Sequence, residues 1–336
     1  MAINRRNFLK AATGSALTAI VAEEAQAFSP RETKELPPKA VGMLYDSTLC
    51  IGCKACVAAC KQANDQPLEI LESQQGWNEG AWDSAIDISA KTLNVIKAYT
   101  NGEMTQKDRE VDGYAFMKRH CLHCVDPSCV SVCPVSAMQK DPITGVVTHN
   151  PDACIGCRYC VVGCPFSVPQ FDYETPFPQI HKCQFCSHLQ AQGKLPACCD
   201  VCPTGASLFG DVRELKEEAK RRLGAEEGEV YEFPRGKLGG DRDSHTAQIP
   251  KYQKDFYGDT ELGGTQVMYL SGVPFDKLGL PTNVPDKSYA SISEGIQHTL
   301  YKGMIAPLTL LSGLLFMAYR NRKHHDDDEQ SPKEDL

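Results

Sequence analysis

Several absences bound this chain of 336 residues before anything present does. It has no basic stripe: 35 Lys and Arg stand against 43 Asp and Glu, a net charge of -8. Nucleic acid draws on clustered cations, so it is excluded as a partner. There is no glycine fingerprint for a nucleotide, no flavin motif and no Ser/His/Asp constellation, which leaves an autonomous reductase without a substrate site. No CxxC pair is followed by His, since Cys53-Lys54-Ala55-Cys56 and Cys121-Leu122-His123-Cys124 both precede Val, and covalent haem is removed with it. Tryptophan occurs only at Trp77 and Trp82, and a long apolar run only near the C-terminal end. With 42% hydrophobic and 23% charged residues the chain still reads as an ordinary folding polypeptide, large enough for one big domain or two small ones.

Cysteine is the opposite case. All seventeen lie between Cys50 and Cys202, in four tight groups of two alternating spacings. Group one, CxxCxxCxxxC, is Cys50, Cys53, Cys56 and Cys60; group two, CxxCx4CxxxC, is Cys121, Cys124, Cys129 and Cys133. Group three repeats the first spacing at Cys154, Cys157, Cys160 and Cys164; group four, CxxCx11CxxxC, is Cys183, Cys186, Cys198 and Cys202. A cubane cluster needs four thiolates around a compact core, and a tight CxxCxxC loop can turn three sulfurs onto it. In the ferredoxin run the last cysteine, followed by proline, reaches to the neighbouring cluster, so runs support one another in pairs. Four runs therefore imply four [4Fe-4S] clusters. Pro134, Pro165 and Pro203 follow the last cysteine of groups two, three and four; group one carries Lys61 there instead. Zinc ribbons seldom add a third cysteine and CP, and cysteines two residues apart are poor disulfide partners. Cys199 is the odd thiol, set aside by the CxxxCP spacing that selects Cys198, although a switch of ligand to Cys199 stays open. Lys54, Arg158 and Tyr159 sit inside the ligand loops, where they either tune potential or are plain exposed loop residues.

The ends carry addresses. Asn4-Arg5-Arg6-Asn7-Phe8-Leu9-Lys10, a mildly apolar run and Ala25-Gln26-Ala27 read as a twin-arginine export signal over residues 1–27, expected to be removed after Ala27. That route carries folded proteins, so clusters can be assembled in the cytosol first. Residues 300–319 hold one charge, Lys302, over twenty positions. At ~1.5 Å per residue they span a ~30 Å hydrocarbon core. Arg320, Arg322 and Lys323 follow and put that end in the cytoplasm by the positive-inside rule, leaving the cysteines at the periplasmic face. A buried core helix is the bland alternative, as Gly303, Thr309, Ser312 and Gly313 dilute the apolarity.

The pattern between motifs is α+β. Strands are expected over 41–46, 114–118, 146–149 and 206–209, and a helix from an Asp211 cap to Leu223. Residues 61–120 read as an insertion and Gly224–Gly264 as a Gly- and charge-rich elaboration, both on the surface. The expected division is 1–27 signal, 41–212 four-cluster domain with insertion 61–120, 213–299 extension, 300–319 transmembrane helix and 320–336 cytoplasmic tail.

NRRNFLK near the start, GMLYDSTLCIGCKAC from Gly42, HCVDPSCVSVCPVSA from His123, GGTQV from Gly263 and IQHTLYKGM from Ile296 carry a resemblance over almost the whole chain. The chain resembles the four-cluster iron-sulfur subunits of bacterial respiratory oxidoreductases, and within them the branch serving hydrogenase-2, a membrane-bound nickel-iron hydrogenase. That resemblance implies two interlocked ferredoxin-like modules, one inserted in the other. It implies that Cys50, Cys53, Cys56 and Cys202 hold one cluster, and Cys183, Cys186, Cys198 and Cys60 its neighbour. The inner pair would be Cys121, Cys124, Cys129 and Cys164, and Cys154, Cys157, Cys160 and Cys133. Spacing alone leaves a rival, in which groups three and four pair across the eighteen residues from Pro165 to Lys182. The implied partners are a hydrogenase small subunit with its catalytic large subunit, an integral membrane quinone-reactive subunit and the lipid bilayer. The chain itself would be non-catalytic. The relay of a formate dehydrogenase or sulfur-compound reductase is the alternative.

Overall fold

The computed structural model of the chain describes residues 30–69, 85–176 and 179–329, with side chains at all of these except 306 and 321–329. The expected export signal and both tryptophans lie outside the described residues. Two compact units are present, Thr33–Ala290 and a second that, among the described residues, holds 30–32 and 291–329.

The larger unit is organised by β1, Val41–Asp46, the middle strand of a three-stranded sheet. Its sequence, VGMLYD, is buried at every position after the first, as a strand covered on both faces must be. Period-two alternation sorts its side chains: Leu44 faces an apolar cluster with Leu208, Val212, Leu215 and Met268, while Met43 and Tyr45 face the core that holds Cys50, Cys56 and Cys198. Gly42 is required by close approach, for a Cβ there would stand 2.2 Å from the Gln266 carbonyl oxygen.

Following β1, the first cysteine loop leads into helix α1, Ala55–Ala63. Strands β2 (Val95–Thr100), β3 (Gln106–Lys107) and β4 (Gly113–Arg119) form a second sheet in the order β2-β4-β3. The expected strand at 114–118 is β4; its partner β2 runs antiparallel with Val95 opposite Arg119. Val95, Ala115 and Met117 are buried, so part of the stretch read as a surface insertion is core. Then come α2 (Ser128–Ser131), the hairpin β5 (Met138–Lys140) and β6 (Val147–His149), α3 (Tyr159–Gly163), the hairpin β7 (Gln170–Phe171) and β8 (Ile180–His181), and the one-turn helices α4 (Ser187–Gln190) and α5 (Ala197–Asp200).

Strand β9, Ser207–Asp211, pairs antiparallel with β1, and helix α6, Val212–Gly224, follows at once. Asp211 caps it as expected, its carboxylate accepting from the amides of Arg213 at 2.8 Å and Glu214 at 3.4 Å. From the last turn of α6, Arg222 reaches back to Asp46 at 3.1 Å and to Glu218 at 2.9 Å, all three essentially solvent-free, with its guanidinium 4.9 Å from the Phe233 ring centroid. Hairpin β10 (Val230–Phe233) and β11 (His245–Gln248) buries Phe233, and β12 (Val267–Leu270) completes the central sheet, parallel to β1 with Met43 opposite Val267. A strand at 267–270 was not expected from the sequence. Its four residues are too few to show a period.

Helix α7 runs Tyr289–Glu329 with Pro307 inside it, and from Ser291 on it belongs to the other unit. Its segment Tyr289–Arg320 is long and apolar enough to cross a membrane. The expected span 300–319 falls within it.

Candidate iron-sulfur sites

Each cysteine loop uses the same local device. The residue before the second cysteine of each group takes positive φ: Gly52 at 70°, His123 at 48°, Gly156 at 70° and Phe185 at 53°. Reversing the chain there turns successive sulfurs to one side. Glycine adopts this freely, while a side chain resists it by about 1–2 kcal/mol, so His123 and Phe185 are positions where the site dictates the backbone. Their two rings stack at 4.1 Å and 25°, joining the loops of groups two and four. Lys54, Arg158 and Cys186, also left-handed, begin α1, α3 and α4.

Three small cavities gather the sulfurs. One, site A, is lined by Cys50, Cys53, Cys56 and Cys202. Another, site B, is lined by Cys60, Cys183, Cys186 and Cys198. A third, site D, is lined by Cys133, Cys154, Cys157 and Cys160. The remaining expected four, Cys121, Cys124, Cys129 and Cys164, form site C. There burial pushes the Cys124 thiol well up, and Cys164, Cys129 and Cys121 beside it add to the shift. Thus every cavity takes three sulfurs from one group and the fourth from another.

The donors fit the cluster expected from the spacings. Burial pushes the thiols of Cys56 and Cys60 up to about 12 and those of Cys160 and Cys164 up to about 11, and neighbouring sulfurs raise Cys56, Cys60 and Cys160 further. A cationic iron core offsets both effects, which is why such metal binding releases protons. Donors already aim at the sulfurs: the Gly52 amide at 3.5 Å from Cys50 Sγ, the Met138 amide at 3.5 Å from Cys133 Sγ and Asn64 Nδ2 at 3.7 Å from Cys60 Sγ.

Cys199 is fully buried in α5 and does not line site B, whereas Cys198 does. The Cys199 thiol beside it and the Lys118 ammonium draw the Cys198 thiol down, against the effect of burial. Of the loop residues singled out, Arg158 folds over Phe171, 5.4 Å from the ring centroid, and donates to the Tyr173 hydroxyl at 3.3 Å; Tyr159 is exposed. Reasoning from motifs missed the stacked His123–Phe185 pair and three lysines near the sulfurs, Lys118, Lys140 and Lys182. The lysines lie outside the cysteine loops or beside them, and no spacing rule singles them out.

The sites and the fold around them define an iron-sulfur electron-transfer protein of the ferredoxin-like class, and 4Fe-4S dicluster domains match residues 49–137 and 113–212. The two matches share group two. The chain is 47% identical to the hydrogenase-2 operon protein HybA of Escherichia coli, over 98% of this chain and 100% of that protein, and equally to that of Shigella flexneri. It belongs to that protein's family. More distant is the iron-sulfur subunit of the nitrate-inducible formate dehydrogenase of Escherichia coli, 31% identical over 88% of this chain and 90% of that one.

Proposed function

We propose that the chain relays electrons through four [4Fe-4S] clusters, at sites A to D, between a nickel-iron hydrogenase small subunit and an integral membrane quinone-reactive subunit. The observation that carries the reading is the lining of the cavities, three sulfurs from one group and one from another. In this reading the ligands are Cys50, Cys53, Cys56 and Cys202; Cys60, Cys183, Cys186 and Cys198; Cys121, Cys124, Cys129 and Cys164; and Cys133, Cys154, Cys157 and Cys160. Groups two and three then make a module inserted within that of groups one and four, over residues 41–212. Residues 1–27 export the folded chain by the twin-arginine route, and α7 anchors it at the periplasmic face with the tail in the cytoplasm.

A bound cluster supplies reversible one-electron storage, and the chain supplies spacing and shelter. Cys56 of site A neighbours Cys198 of site B, Cys183 of site B neighbours Cys121 of site C, and Cys129 of site C neighbours Cys160 of site D. These neighbours support a linear order A, B, C, D. The exposed cysteines among the ligands are Cys53 of site A and Cys157 of site D, which makes the two ends of the row the places where electrons pass to and from partners. N–H groups aimed at sulfur stabilise the more negative, reduced state.

Anaerobic purification from membranes tests the proposal. About sixteen irons per chain, four per cluster, with nickel in the co-purified subunits is the expected result. A colourless, iron-free chain overturns it. The likeness to formate dehydrogenase subunits supports a second reading, the same relay with another dehydrogenase, and molybdenum in place of nickel would decide for it.

A further inference from the structure

Two buried lysines have no carboxylate partner among the described residues. Lys118, on β4, has no solvent exposure, and its ammonium reaches Ser207 Oγ at 3.0 Å and Met43 Sδ at 3.7 Å. Lys182, which follows β8, is 3% exposed and donates to the carbonyl oxygens of Val147 and Cys183. Neither forms an ion pair among the described residues, in contrast to the buried Lys61, which lies 3.6 Å from Glu69. An isolated ammonium in a protein interior is strongly disfavoured, and a neutral hydroxyl or carbonyl offsets only part of that cost. The anionic groups beside them are sulfur. Lys118 neighbours Cys198 at site B and Cys56 at site A. Lys182 neighbours Cys129 and Cys164 of site C.

We infer that Lys118 and Lys182 are fixed counter-charges of the inner clusters, Lys118 serving site B with its neighbour A and Lys182 serving site C, and that they hold the reduction potentials of these clusters up. The inference rests on the four-cluster reading. Its physical content is a compensation. Sites B and C have no exposed cysteine, whereas A and D have one each. A cluster removed from water accepts an electron less readily, since burial disfavours added negative charge, and left alone the middle of the row would be an uphill step. A buried positive charge opposes that. It remains in place during transfer, with no solvent to reorganise around it, so the row stays nearly level in potential. Lys118 and Lys182 touch no partner or substrate; they act through the clusters as positioning charges.

The test is a potentiometric titration, followed by electron paramagnetic resonance, of the purified complex carrying K118M, K118Q or K118R, with K182M as an independent arm. Iron and sulfide content is measured on every sample. In K118M at full iron content, at least one of the four reduction steps is expected to move negative by a tenfold change in reduction equilibrium, 59 mV for a one-electron couple. K118Q keeps a donor for Ser207 without the charge and should shift the same way, while K118R restores the wild-type value. K182M should move a different step. Should K118M not load iron, the comparison of K118Q with K118R carries the decision. Loaded variants whose four steps all stay at wild-type potentials, or a K118R that shifts as far as K118Q, overturn the inference. A wild-type complex without iron would overturn the four-cluster reading instead, so the two failures are distinguishable.

Discussion

Sites A and B are built from the same loop as sites C and D but are held by very different lengths of chain. Cys50 and Cys202, which meet at site A, are separated by most of the larger unit, and they are brought together by the pairing of β1 with β9. Sites C and D draw on residues from Cys121 to Cys164 alone. The short hairpin of β5 and β6 and a small apolar cluster of Cys129, Met138, Val147, Cys160 and Ile180 support them, while Cys121 packs in the main core and His123 stacks on Phe185. One half brings its ligands together by pairing distant strands, and the other draws them from one short stretch. Damage to the central sheet should therefore empty A and B before C and D.

The largest expected effect tests that order. Arg222 ties α6 to Asp46, and Asp46 also accepts from the Thr48 amide at 3.1 Å, at the start of the loop that presents Cys50. Replacing the arginine in R222M leaves Asp46 as a buried carboxylate with no cation paired to it among the described residues, while Glu218 keeps Arg221 at 2.7 Å, an effect of about 3–5 kcal/mol. Thermal denaturation should show this loss, and iron content should fall toward about half, with the signals of C and D retained. If all four clusters disappear together, the two halves are one cooperative unit and the comparison fails.

Ligand exchange sharpens the comparison at a single site. C60S should remove the cluster at site B, about four irons, although Cys60 belongs to the group that supplies site A. C133S should likewise empty site D and spare site C. Loss of the cluster of its own group instead, read by iron content and spectroscopy, would restore a pairing in which each group closes on itself.

The cysteine groups made the chemistry legible because ligand spacing is local: in groups one and three, three sulfurs within seven residues must serve one centre. β1, β4, β6, β9 and the Asp211 cap were legible too, since alternation and capping are also short-range signals. What escaped depends on contacts across the chain. β12 is four residues whose place beside β1 is set by Gln266 approaching Gly42. β2 lies in a stretch that looks like an insertion until β4 pairs with it. The fourth ligand of each site could be assigned only through resemblance, because spacing says where a cysteine is and not which cavity it enters.

A smaller pair of changes compares equivalent positions of the two halves. Gly52 and Gly156 share φ of 70°, so alanine at either carries the left-handed penalty of about 1–2 kcal/mol. Only Gly52 is also crowded, since its added Cβ would meet the Phe116 ring at 2.6 Å, while at Gly156 the nearest atom, in Phe171, is 3.6 Å away. G52A should thus lower the melting temperature more than G156A and should loosen site A. Equal effects would mean that Phe116 yields freely and that the second sheet is not a rigid wall for this loop.

The smallest effect concerns that wall directly. Asp87 accepts from Lys97 of β2 at 2.7 Å and from Arg119 of β4 at 2.9 Å, and clasps the two strands at their edge. Partial burial pushes its carboxyl up, but the Lys97 hydrogen bond, the Ile88 amide and the two cations outweigh this and hold it below the usual carboxylate range. A carboxyl lowered by folding adds stability above its unfolded value, near ~3.9, and loses it only as pH falls through the lower folded value. Lys97, Asp87 and Arg119 are all partly exposed, so solvent screening limits the clasp to about 1 kcal/mol at most. D87N should then melt slightly below wild type by an amount that is constant from pH ~8 to ~5 and shrinks in ~1 M salt, where screening acts within ~3 Å. A gap that changed within that pH range would assign the difference to another group, and a gap larger than that between G52A and G156A would make this edge, and not the Phe116 contact, the main support of site A.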